Sequence, residues 1–238
     1  MINNIYEGAN QGINEIKLKA LLTEHEKRNI NPLIRTLMPP SEIGSITVVD
    51  QIVLLSLVRL ASSRRIIEIG TYLGYSTALL AMNSSAKIFS IDLPKVEKSQ
   101  KSFDEQLVRS DGNYNDDFLR SEQNNRGEIY LDYLIFEERG RISFVKSDST
   151  LINFQKEFEY ADFVFIDGGH ESSIVEKDTL NARSIVTNGV IVWHDFGSKI
   201  HNDVSSFLLE EKDRKIFHVL GSLCAFEIIG ELNISLES

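Results

Sequence analysis

Glu68 stands two residues before Gly70, and Gly74 follows four residues later, in the run Glu68-Ile-Gly-Thr-Tyr-Leu-Gly-Tyr-Ser76. Glycine has no Cβ and tolerates positive φ, so a glycine turn between a strand and a helix N-terminus brings bare backbone against a ligand. The spacing differs from the Gly-x-Gly-x-x-Gly of dinucleotide sites, and an acid just upstream is unsuited to a pyrophosphate. A ligand carrying an ammonium and a sulfonium suits it. Asp92 closes a second apolar run 22 residues after Gly70, where a carboxylate has enough lone pairs to accept from both hydroxyls of a ribose. Asp148, Asp167, His170, His194 and Asp195 likewise fall at or just past the ends of apolar runs. In a doubly wound sheet, ligands gather at the carboxyl ends of strands, and solvation alone does not account for polar residues at every such end.

The elements that must position these residues are legible from periodicity. Ile66, Ile67 and Ile69 read as a strand buried on both faces, followed by a helix from about Ser76 to Met82. A helix over Thr47 to Ser62, capped by Thr47 or Asp50, precedes them. Ala86 to Asp92, Arg141 to Lys146, Phe163 to Ile166 and Val190 to Phe196 read as further strands. Glu171 to Val186 reads as a helix with Ile174, Leu180, Ala182 and Ile185 as apolar positions, left through an Asn188-Gly189 turn. Asn202 to Glu211 is a short amphipathic helix, and Ile216 to Leu220 with Leu223 to Ile229 form a closing hairpin. Two segments are less informative. Residues 1–45 form a polar arm with weak helical patterning and a Pro39-Pro40 break. Residues 94–139 form a polar insertion about twice as long as the topology needs, which makes it a lid, a partner surface or a mobile loop.

The glycine-turn run resembles that of class I S-adenosylmethionine-dependent methyltransferases, and within them the catechol O-methyltransferase type. The Asp167-x-x-His170 run is related to that of macrolide-tailoring sugar O-methyltransferases. The resemblance covers roughly residues 46–230 without the insertion. It implies a doubly wound, Rossmann-like α/β domain over residues 46–238, with a seven-stranded sheet ending in an antiparallel hairpin; residues 1–45 are expected to form a helical arm in front of it. It also implies S-adenosylmethionine as cofactor. Glu68, Gly70, Thr71, Tyr72, Gly74 and Ser76 would hold the methionine end, Asp92 the ribose, and Ser147, Asp148 and Ser149 the adenine. The acceptor would be a small hydroxylated metabolite, a sugar or a phenol. His170 takes the place of a lysine three residues after the family's metal-binding Asp, matched here by Asp167, and would act as general base beside it. The family's acidic/amide metal pair is matched by His194 and Asp195. Imidazole is a poor Mg²⁺ ligand and suits Mn and similar ions better, so a different divalent metal, another role for His194, or no metal all remain open.

Composition narrows the alternatives. The chain has 238 residues, 25 Lys plus Arg against 35 Asp plus Glu, and no long basic run, which argues against nucleic-acid or anionic-membrane partners. Its single cysteine, Cys224, excludes an intrachain disulfide and any cysteine-based zinc site, and its apolar neighbours suggest a buried side chain. No signal-peptide pattern opens the sequence, and the longest apolar run, Ile52 to Ala61, is too short to span a bilayer, so a cytoplasmic location is expected. The arm or the insertion could also mediate a homodimer. His25, His201 and His218 have no partner in sequence. A non-catalytic cofactor-binding protein or scaffold is the alternative reading, and a nicotinamide dehydrogenase is disfavoured by the missing dinucleotide fingerprint.

Overall fold

The computed structural model describes residues 12–41, 43–97, 101–232, 234 and 236. In it, eight strands form one sheet in the order β1-β7-β8-β6-β5-β2-β3-β4. They are β1 (Ile13–Ile16), β2 (Arg65–Ile69), β3 (Lys87–Asp92), β4 (Ile142–Lys146), β5 (Phe163–Ile166), β6 (Gly189–Trp193), β7 (Ile216–Val219) and β8 (Ala225–Ile229). Only β8 runs antiparallel to its neighbours, β6 and β7. The doubly wound sheet with its C-terminal hairpin is thus present, with eight strands in place of seven. The extra strand is β1: the arm expected to be helical first pairs in parallel with β7 (Ile13 opposite Ile216) and only then forms α1 (Leu18–Lys27). Residues 1–11 of the arm lie outside the described residues.

The central strands are apolar because both faces are covered. Along β2, Ile66 points into one layer with Leu54, Leu57 and Leu79, while Ile67 and Ile69 point into the other with Phe154, Val175 and Trp193. The same alternation divides Phe163 and Phe165 from Val164 and Ile166 on β5. The first layer is built by α1, α2 (Val48–Leu60) and α3 (Tyr75–Asn83). Thr47 closes a reciprocal capping box with Asp50 at the start of α2. No helix among the described residues is long and apolar enough to cross a membrane.

The insertion is folded. It carries α4 (Glu105–Val108), α5 (Gly112–Arg126), a 3-10 turn over Ile129–Tyr133 and α6 (Phe136–Arg139). The buried face of α5 is polar, with Asn115, Gln123 and Asn124 all buried. Asn115 donates to the Val108 carbonyl at 2.8 Å, and Asn124 accepts from the Val96 amide at 3.1 Å. This explains why no apolar period marks the helix in the sequence. Glu128, just past α5, accepts from Lys95 and Lys146 at 2.9 and 2.6 Å and ties the insertion to β4. Beyond β4 lie α7 (Phe154–Phe158), α8 (Ser172–Ile185) and α9 (Asn202–Glu210), on the second layer. Leu180, expected on the apolar face of α8, is exposed.

The chain changes winding direction between β2 and β5, and there the backbones converge. Asp167 donates its amide to the Ile69 carbonyl at 2.8 Å, and a Cβ on Gly70 (φ +97°) would stand 1.9 Å from the Asp167 carbonyl oxygen. Neither backbone can yield without opening the sheet. Beneath this turn Glu68 is fully buried, and its Oε2 accepts from Thr77 Oγ1 and, at 2.6 Å, from Ser90 Oγ. Its Oε1 has no hydrogen-bond partner among the described residues, and burial pushes the carboxyl up to about 7.

Two outcomes are expected. Gly70→Ala should lower unfolding stability by about 2 kcal/mol or more in urea titrations, because it adds a backbone clash to a positive φ; an unchanged midpoint would contradict the packing. The raised Glu68 pKa means that the folded state holds a proton the unfolded chain loses above its ordinary value of 4.5. The stability it contributes is therefore present below pH 4.5 and lost as pH rises towards 7, by on the order of 3 kcal/mol. Relative to the parent, Glu68→Gln should gain stability between pH 4.5 and 8, read from urea midpoints; a constant difference would refute the protonated carboxyl.

Candidate active site

A cavity of about 550 Å³ opens at the carboxyl ends of β2, β3, β4, β5 and β6. Gly70, Thr71, Tyr72, Ser76, Asp92 and Ser147 to Ser149 line one end, and Asp167, His170, His194 and Asp195 line the other. The structure thus gathers nearly every residue singled out in the sequence. Glu68 and Gly74 are not on the wall. Glu68 sits beneath the turn, and a Cβ on Gly74 (φ +81°) would meet the Leu131 side chain at 3.0 Å and Glu128 Cβ at 3.3 Å. The second glycine is therefore needed for its left-handed backbone and for the close seat of the insertion. Residues 43–46, where the arm runs into α2, and α5 also line it.

At the first end, Asp92 Oδ2 accepts from the amides of Thr71 and Tyr72 at 3.0 and 3.1 Å, and Oδ1 from the Leu93 amide at 2.7 Å. Tyr72 holds a left-handed φ of +47° that turns both amides inward. Two α5 side chains reach the same carboxylate: Gln123 Nε2 donates to Oδ2, and Arg120 Nη1 lies 3.6 Å from Oδ1. Asp148 uses Oδ1 to accept from the amide and hydroxyl of Thr150, which fixes the turn after β4.

At the other end, carboxylates and imidazoles alternate. Asp116 Oδ1 lies 2.8 Å from His170 Nδ1, and His170 Nε2 lies 3.1 Å from Asp195 Oδ2. That oxygen is 3.2 Å from His194 Nδ1, and His194 Nε2 is 3.5 Å from Asp50 Oδ2 in the core. Asp167 Oδ1 flanks His194 Nδ1 at 3.3 Å. Burial opposes the charged forms, but the opposite charges outweigh it. His170 is carried up to about 10 by Asp116 and Asp195, His194 is raised well above the usual histidine value, and Asp195 is held well below the usual carboxylate range. Asp195 also holds a left-handed φ of +62°, a strained backbone that aims its carboxylate between the two rings. His201 stacks on His170 with ring centroids 3.7 Å apart, so it belongs to the site; His25 and His218 lie off it and pair with the carbonyls of Ser56 and Ser222.

Asp167, His170 and Asp195 each offer one ligand atom within 4.8 Å of the others. Two carboxylates and an imidazole fit a divalent cation of the Mn type better than Mg²⁺. His194 Nδ1 faces the same two carboxylates, while its other nitrogen faces Asp50.

Sequence reasoning passed over Asp50, Asp116, Arg120, Gln123 and His201. For Asp50 a signal existed, an acid inside the apolar run of α2, but it reads as a cap. For the insertion residues none did, since their positions depend on how α5 docks.

Comparisons with known proteins identify the family and the fold. A family model described as a methyltransferase domain matches residues 67–196, more than half of the chain. No curated protein sequence matches. Among solved structures, the O-methyltransferase NovP has a TM-score of 0.52 at 10% identity, covering 76% of this chain and 78% of its own. The calicheamicin methyltransferase CalS11 has a TM-score of 0.51 at 10% identity, covering 90% and 92%. PaMTH1 of Podospora anserina, solved with SAH bound, has a TM-score of 0.50 at 13% identity, covering 89% and 88%. At such identities these likenesses establish the fold, and the family match adds the activity class. The chain belongs to this methyltransferase-domain family and is a class I, S-adenosylmethionine-dependent methyltransferase.

Proposed function

We propose that the chain methylates a hydroxyl group of a small metabolite, a sugar or a phenol. The observation that carries this reading is the single cavity joining the glycine turn and Asp92 to Asp167, His170 and Asp195. Cofactor and acceptor can meet there in line. The sulfonium already activates the methyl group, so the protein must align the acceptor oxygen and accept its proton. Gly70, Thr71, Tyr72 and Ser76 would hold the methionine end, and Ser147, Asp148 and Ser149 the adenine. Asp92 would hold the ribose, beside Gln123 and Arg120 of α5.

His170 is the proposed base. The carboxylates that raise its pKa also make its imidazole a stronger base once its own proton has left. Asp167 and Asp195 face the acceptor beside it. A divalent cation held by Asp167, Asp195 and one of the two histidines would supply Lewis acidity, lowering the pKa of an acceptor hydroxyl.

Calorimetric titration with S-adenosylmethionine and S-adenosylhomocysteine, first in EDTA and then with Mg²⁺ or Mn²⁺, tests the cofactor and the cation together. Micromolar binding is expected, and its absence would remove the assignment of the cavity. Asp92→Ala should weaken cofactor binding at least about tenfold, since it removes charged hydrogen bonds to the ribose; unchanged affinity would move the ribose elsewhere. His170→Ala should lower turnover by about 10²-fold or more with cofactor affinity intact. Normal turnover would leave His170 a structural role, and binding without turnover on phenols, sugars and amines would favour a non-catalytic protein.

A further inference from the structure

Asp116, Arg120 and Gln123 fall at i, i+4 and i+7 on α5 and so share one helix face. That face lies across the cavity. Gln123 and Arg120 meet Asp92 at one end, and Asp116 meets His170 at the other.

We infer that Asp116 is a positioning residue for His170, which makes the insertion a working part of the active site. The inference rests on the reading of His170 as the base. An imidazole presents two nitrogens, and the one left facing the acceptor is decided by what engages the other. An ionised carboxylate can only accept, so the contact of 2.8 Å requires a proton on Nδ1 and makes Nε2 the basic nitrogen whenever the ring is neutral. Nε2 is buried beside Asp195 Oδ2 at 3.1 Å, yet it completes no hydrogen bond among the described residues. It is therefore the ring nitrogen left to take a proton when the imidazole is neutral. The ring plane is held by His201, stacked at 3.7 Å with an interplanar angle of 23°.

The helix that carries Asp116 is seated on the same loop. A Cβ on Gly112, at the first turn of α5, would lie 3.0 Å from the Ile200 carbonyl oxygen and 3.4 Å from His201 Nδ1. The missing side chain lets α5 approach closely enough for Asp116, one turn later, to reach His170. Among the described residues, the hydrogen bond of the Asp116 side chain runs out of the helix, to His170. Asp111 caps α5, and Asn115 and Gln123 provide its buried contacts.

The test uses the full chain, with Asp116→Ala, Asp116→Asn and His170→Ala. Proton NMR of the free protein reads the pairing without any acceptor. A downfield ring N–H resonance should be present in the parent and lost in both alanine variants, and its persistence in Asp116→Ala would overturn the pairing. Methyl transfer to a catechol probe reads the consequence. Asp116→Ala should lower kcat about 10- to 100-fold with both KM values nearly unchanged, and Asp116→Asn should recover part of it, because the amide oxygen still accepts from Nδ1. If His170→Ala loses turnover while Asp116→Ala keeps it, the positioning role is overturned and the base assignment stands. If His170→Ala keeps turnover, the base assignment itself fails, whatever the resonance shows.

Discussion

Where β2 and β5 lie side by side, the backbone of Gly70 and the carbonyl of Asp167 are so close that no side chain fits between them. This approach fixes the relation between the two ends of the cavity. The turn after β2 lines one end, and the turn after β5 carries Asp167 and, three residues on, His170. A slip of either strand by one residue would turn its side chains to the opposite face and separate the two sets. The apolar residues of both layers serve to hold this register, and they explain why strands with so little polar character end in so much of it.

Electrostatics takes over where packing ends. Asp116, His170, Asp195, His194 and Asp50 alternate in sign along a path from the insertion to the core. Alternation is what makes such burial tolerable, since each charge has an opposite neighbour and no two imidazoles or carboxylates along the path meet directly. With Asp167 and the stacked His201 alongside, four carboxylates face three imidazoles. This leaves an excess of negative charge there. Glu68 is the exception, a carboxyl held near neutrality beneath the turn by its burial.

The arm and the insertion form the remaining walls. Residues 43–46 and one face of α5 close a cavity that the sheet alone leaves open. Tyr72 and Tyr75 donate to the carbonyls of Ile43 and Leu37, anchoring the segment before α2 to the glycine turn and to α3. The cavity is thus assembled from segments far apart in the chain.

The sequence by itself determined the sheet, its central strands and the residues at their carboxyl ends. Burial on both faces leaves an apolar run that only a polar terminus can end, as at Ile66 to Ile69 before the glycine turn. It also located Asp92, Asp167, His170, His194 and Asp195, because strand ends are local features. Tertiary structure alone decided the rest. The eighth strand at Ile13–Ile16 has no meaning until β7 lies beside it. The polar buried face of α5 carries no apolar period, since hydrogen bonds to Val108, Val96 and Asp92 hold it in place. The pairing of Asp116 with His170 spans 54 residues. No spacing rule connects positions that meet only because two separately folded segments dock.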